Sequence, residues 1–73
     1  MRKSIDVYID RINAAKSFPI LYKIGNDFYQ DYVIPVYDSG QIVMILRDKR
    51  GKEVLKLLEE KLEEVIKEVI TLN

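Results

Sequence analysis

The stretch from Phe18 to Arg47, FPILYKIGNDFYQDYVIPVYDSGQIVMILR, decides the fold because strand-forming side chains are concentrated in it. Phe18, Ile20, Tyr22 and Ile24 occupy every second position, which is typical of one face of a half-buried strand. Gly25-Asn26-Asp27 and Asp38-Ser39-Gly40 are turn sequences. The stretch therefore predicts three strands, over residues 18–24, 28–37 and 41–47, joined as an antiparallel meander.

The two turns set a register that gives this predicted sheet two faces. Loops of three residues place most of the apolar side chains, including Ile42 and Met44, on a core face. The opposite face carries a second apolar set: Leu21, Val33, Pro35, Tyr37, Val43 and Ile45. A monomer seldom exposes so large an apolar patch. This face is therefore either covered by a helix or forms an interface with a second copy or another protein.

Pro35 argues against the second register because proline has no N–H to donate to a neighbouring strand, and a central strand normally excludes it. A β-bulge, or a second turn of two residues, would relieve the conflict. The register of the second hairpin stays open at this point.

The clearest element lies on the C-terminal side, over residues 52–72. Its apolar residues recur in steps of three and four, which places them on one face of a helix: Val54, Leu55, Leu58, Leu62, Val65, Ile66, Val69 and Leu72. Leu57 points off this stripe beside acidic residues, so it is a candidate anchor for a partner.

The N-terminal segment is compatible with two structures. Ser4 as an N-cap, followed by apolar residues at helical spacing through Ile12, favours a helix. Ile5, Val7 and Ile9 also alternate as they would in a strand. The predicted fold is a single α+β domain over residues 1–73, in the order α-β-β-β-α, with β-β-β-β-α as the alternative.

Composition excludes several classes of chemistry. The 73 residues include no Cys and no His, which rules out disulfides, thiolate metal sites, cysteine nucleophiles and Ser-His-Asp triads. The three glycines are isolated, so no glycine-rich phosphate loop is present. No apolar run is long enough to span a membrane. We therefore expect a cytoplasmic, non-enzymatic protein without metal or cofactor.

A basic cluster, Arg47, Lys49, Arg50 and Lys52, surrounds the start of the predicted C-terminal helix. Helix N-termini bind anions through free N–H groups, and nearby cations strengthen that binding. Lys23 and Tyr29 face each other across the predicted first hairpin, where they could contact a single-stranded nucleic acid. Nucleic-acid binding is the alternative to the favoured function, which is a small protein-interaction module of the regulator or inhibitor type, expected to be a homodimer.

Overall fold

The computed structural model of the chain describes residues 2–72, with side chains described for residues 2–68. The described residues form three helices and one two-stranded antiparallel sheet, in this order: α1 (Ile5–Ala14), α2 (Phe18–Tyr32), β1 (Val33–Asp38), β2 (Gln41–Leu46) and α3 (Gly51–Leu72). The predicted α+β class is confirmed. The three-stranded meander is not, since the described residues form only two strands.

Helix α2 replaces the predicted first strand and the first half of the second. It begins after Ser17, with Pro19 at a position where a missing N–H costs nothing. Its buried residues recur at helical spacing: Leu21, Ile24, Gly25, Phe28 and Tyr32. Ile20 is 51% exposed, so the apparent alternation at the start of this segment does not mark a core face.

Gly25, predicted to lie in a turn, is a buried residue in the middle of α2. A Cβ atom at this position would lie 3.0 Å from Cδ2 of Leu58 on α3. The missing side chain lets the two helices approach closely, which compensates for the poor helix propensity of glycine.

Helix α1 settles the ambiguity of the N-terminal segment in favour of the helix. The Ser4 hydroxyl accepts a hydrogen bond from the Val7 N–H at 3.3 Å, as an N-cap does. Ile5, Tyr8 and Ile12 are buried on one face, whereas Val7 is exposed.

The core lies where the three helices meet, and aromatic rings fill its centre. The Tyr8 ring packs edge-on against Phe28 at 5.4 Å and against Tyr32 at 6.0 Å, measured between centroids. Phe28 and Tyr32 stack at 5.4 Å. Helix α3 contributes Val54 and Leu58, as its apolar stripe predicted. Val69 and Leu72 of that stripe lie outside the described side chains.

The hydroxyl groups of both core tyrosines donate hydrogen bonds to polar groups. The Tyr8 hydroxyl donates to the Asp31 carboxylate, which also accepts from the Lys3 N–H at 3.2 Å. The Tyr32 hydroxyl donates to the Lys3 carbonyl at 2.6 Å. The hydrogen bond from Tyr8 holds the pKa of Asp31 below its ordinary value of 3.8.

This depressed pKa predicts a loss of stability in acid. A carboxyl group whose pKa is lower in the folded state stabilises the fold above its unfolded pKa, and the stabilisation is lost as pH falls through the folded value. We expect Asp31→Asn to flatten the dependence of the urea midpoint on pH below about 4. Asp38→Asn, at the exposed hairpin turn, is the charge-matched control and should keep the acid loss. An unchanged pH profile in Asp31→Asn would contradict the assignment.

Candidate interaction surface

The strands β1 and β2 form a hairpin, called the ribbon here, over residues 33–46. Its turn has two residues, Ser39 and Gly40, rather than the three predicted. Both have positive φ, 49° and 83°, as a type I′ turn requires. The register therefore shifts by one position, with Pro35 opposite Met44 and Tyr37 opposite Ile42.

Pro35 is accommodated because its nitrogen points away from β2. Beyond the sheet, the Arg47 N–H donates to the Tyr32 carbonyl at 2.8 Å, which marks those two residues as a hydrogen-bonded pair. Hydrogen-bonded and non-hydrogen-bonded pairs alternate along an antiparallel ladder. The Pro35–Met44 pair is thus non-hydrogen-bonded, and the ring faces the free edge of β1, where proline is tolerated.

The base of the ribbon is fixed to the helices. Val33 and Leu46 pack against the core cluster. Gly51, the first residue of α3, is buried beneath this base, and a Cβ atom there would lie 3.1 Å from Leu46 Cδ2 and 3.2 Å from Phe28 Cζ. The remainder of the ribbon extends away from the core, where its side chains are mostly exposed.

The exposed part of the ribbon is apolar on both faces. One face presents Tyr37, Ile42 and Met44, which are 76%, 69% and 61% exposed. The other face presents Val36, Val43 and Ile45, which are also exposed. From Gln41 to Leu46 the strand β2 carries no charged side chain. Two-stranded hairpins are marginally stable in water when nothing packs on them, so this surface is suited to contact with another chain.

The structure places the predicted interface residues in three different environments. Tyr37, Val43 and Ile45 lie exposed on the ribbon. Leu21 is fully buried in the core, which corrects its assignment to an exposed sheet face, because α2 turns it towards the other helices. Val33 and Leu57 are half-buried against the core cluster.

Ile42 and Met44 are ribbon residues that the sequence pattern places on the core face. The short uncharged run of β2 is typical of a buried strand, and periodicity alone does not distinguish burial in a core from burial in an interface. The sequence signal for the observed register is Ser39-Gly40, because a two-residue turn that ends in glycine pairs Asp38 with Gln41.

The basic cluster lies around the start of α3, where most of the backbone donors are already used. The Arg50 N–H donates to Asp48 Oδ1 at 2.9 Å, and the Gly51 N–H donates to the Asp48 carbonyl at 2.9 Å. The N–H groups of Lys52 and Glu53 donate to carbonyls of the preceding turn. The free N–H groups that an anion site would need are therefore not present at these positions.

Arg50 is also engaged through its side chain. Its guanidinium contacts Asp6 of α1 at 2.7 Å and Glu53 at 3.8 Å. The hydrogen bond with Asp6 raises the pKa of Arg50 above its ordinary value. Arg47, Lys49 and Lys52 lie on either side of it, with Lys49 and Lys52 exposed and Arg47 in an exposed bend after β2. The cluster as a nucleic-acid site stays a prediction that rests on these three cations.

Lys23 and Tyr29 do not face each other, because both belong to α2 rather than to two paired strands. Lys23 borders a groove between α1 and α2 that Arg11 and Ile20 also line. Tyr29 borders a different groove, between α2 and α3. The structure therefore does not bring the two predicted nucleic-acid contacts together.

The groove between α2 and α3 is a second apolar surface, with a volume of about 300 Å³. Its walls include Phe18, Tyr22 and Tyr29 on α2 and Leu58 and Leu62 on α3. The three aromatic side chains are about half exposed or more. Gly25 forms part of the wall, so the close approach of the two helices also shapes this groove.

Among the described side chains, those of residues 2–68, no group of three or more acidic residues is arranged to hold a metal ion. Within residues 2–72, no helix is both long and apolar enough to cross a membrane. Comparisons of the chain with protein-family models, with curated proteins and with solved structures found no match.

Proposed function

We propose that this chain is a non-enzymatic protein-interaction module of the regulator or inhibitor type, and that the ribbon is its contact element. The observation that carries this proposal is the exposure of apolar side chains on both faces of a two-stranded sheet. Exposed apolar surface of this kind marks contact sites.

The position of the ribbon supports the same function. Its base is anchored by Val33 and Leu46, while Tyr37 and Ile42 near its tip are exposed. Because its base is already fixed to the core, the ribbon loses less conformational freedom on binding than an unattached hairpin would. Tyr37 adds a large, rigid ring of the type enriched in the centres of protein interfaces.

Site-specific photo-crosslinking tests this function. With a photoreactive residue in place of Tyr37 or Ile42, we expect discrete crosslinked products of fixed stoichiometry from cells that produce the protein. The control position is Glu59, on the exposed face of α3. A product with the mass of two chains identifies a second copy as the partner, and other masses identify a different protein.

A polar ribbon provides a matched control for the same experiment. Replacing Ile42 and Met44 by threonine keeps strand-forming residues while lowering the apolar character of the face that carries Tyr37. We expect this variant to lose the crosslinks formed from Tyr37. Equal crosslinking from Glu59, or products that do not depend on the ribbon residues, would show that the ribbon is not the contact element.

A further inference from the structure

We propose that the free edge of β2 pairs with β2 of a second copy of this chain, which joins two ribbons into one four-stranded antiparallel sheet. The proposal rests on the proposed function, since it names the partner and the mode of contact of the same ribbon. It depends on an observed difference between the two edges of the ribbon.

The edge of β1 is unsuited to pairing. The Arg47–Tyr32 hydrogen bond fixes which pairs of the ladder are hydrogen-bonded. By this alternation, the backbone polar groups of Val33, Pro35 and Tyr37 point away from β2. The Val33 N–H donates to the Tyr29 carbonyl at the end of α2. Pro35 has no N–H. Tyr37 is therefore the only one of these three described residues whose N–H is available to an incoming strand, and proline on an edge is a known protection against pairing.

The edge of β2 has no such protection. The same alternation directs the N–H and C=O groups of Ile42, Met44 and Leu46 away from β1. No proline and no charged side chain lies between Gln41 and Leu46. Such an edge is a template for another strand.

A second copy fits this edge because an antiparallel pair of identical strands can be symmetric. If the two-fold axis passes beside Met44, Ile42 of each chain pairs with Leu46 of the other, and Met44 pairs with its own equivalent. All three outward residues then exchange hydrogen bonds. Gln41 lies opposite Arg47 of the second copy, so no like charges meet along the strand. Closed two-fold symmetry is the commonest form of self-association.

This pairing also places Ile42 beside Leu46 of the second copy on the same face of the sheet. Leu46 lies at the base of the ribbon and packs against the core of its own chain. The exposed end of one ribbon thereby lies next to the anchored base of the other. A four-stranded sheet with an apolar face satisfies the requirement for independent stability that a two-stranded one fails.

Replacing Met44 by proline tests the edge directly. The Met44 N–H takes no part in the β1–β2 ladder, so the hairpin should be retained, as it is with Pro35 in the facing position. We expect sedimentation equilibrium of the purified chain to show a dimer of the 8.6 kDa wild-type protein. Met44→Pro should weaken self-association by about 10- to 100-fold through two lost hydrogen bonds and the bulk of the ring. Met44→Val keeps the N–H and should still dimerise.

A cysteine crosslink gives an independent readout, since the chain has no cysteine of its own. Hydrogen-bonded antiparallel pairs have Cα atoms about 5.5 Å apart, which is within disulfide range. Met44→Cys should therefore form a covalent dimer on mild oxidation. Val36→Cys lies on β1, three strand spacings from its equivalent and therefore more than about 14 Å from it, and should not.

Three outcomes would overturn the proposal. The first is a wild-type protein that keeps the mass of one chain at all concentrations. The second is equal loss of the dimer in Met44→Val and Met44→Pro, which would indicate packing of ribbon faces rather than edge pairing. The third is crosslinking of Val36→Cys as efficient as that of Met44→Cys. None of them removes the ribbon as a contact element for another protein, which the photo-crosslinking experiment tests separately.

Discussion

Phe28→Ala is expected to destabilise the chain by about 3–5 kcal/mol, the usual cost of removing a buried phenylalanine ring. Phe28 is fully buried, stacks on Tyr32 and meets the edge of Tyr8. It also lies near Gly51, where α3 begins beneath the base of the ribbon. A chain of 73 residues has a total stability of roughly 4–11 kcal/mol, so this single change would remove much of it.

Urea denaturation followed by far-UV circular dichroism measures the effect, and Phe18→Ala is the matched control. The substitution is chemically the same, but Phe18 is half exposed at the start of α2. We expect the control to cost less, because about half of the Phe18 side chain stays in contact with water in the folded chain, so only part of its transfer free energy is gained on folding. Similar losses in the two variants would contradict the position of Phe28 at the centre of the core.

Leu21→Ala is expected to have the second large effect, a loss of about 2–5 kcal/mol. The change tests the helix directly, because a meander would place Leu21 on an outer face and α2 places it in the core. Removing its branched end leaves a cavity that rigid neighbouring helices fill only in part.

The adjacent residue supplies the control for this substitution. Ile20→Ala removes a side chain of similar size from the exposed side of α2. We expect the thermal midpoint to fall strongly in Leu21→Ala and little in Ile20→Ala, where improved helix propensity offsets part of the lost contact. The reverse order would restore the strand interpretation of residues 18–24.

The two proposals place different demands on the ribbon. A contact element for an unrelated protein requires only exposed side chains such as Tyr37 and Val43. Self-pairing requires in addition an open backbone edge, and β2 has one whereas β1 is limited by Pro35 and by the capping bond of Val33. Backbone edges and side-chain faces can be varied separately, so the two ideas can fail separately.

The sequence by itself determined the elements whose pattern has one interpretation. In α3, apolar residues recur every three or four positions with no competing alternation, so the pattern predicts a helix over 52–72, and the helix is found over Gly51–Leu72. The last strand is predicted over 41–47 and is found at Gln41–Leu46. Exposed apolar positions such as Tyr37, Val43 and Ile45 can also be identified from the sequence.

Only the tertiary structure decided the segment from Phe18 to Tyr32. Its residues satisfy a period of two at Phe18, Ile20 and Tyr22, and a helical period at Leu21, Gly25 and Phe28. Local propensity differs too little between these states to choose, since it amounts to fractions of a kcal/mol per residue. When the segment is a helix, Leu21 and Phe28 are buried in the core with residues of α1 and α3. The absence of a side chain at Gly25 lets α2 and α3 pack closely. Burial of a whole apolar side chain contributes about 1.5–3 kcal/mol. Because this burial energy exceeds the differences in local propensity, it determines that the segment folds as a helix.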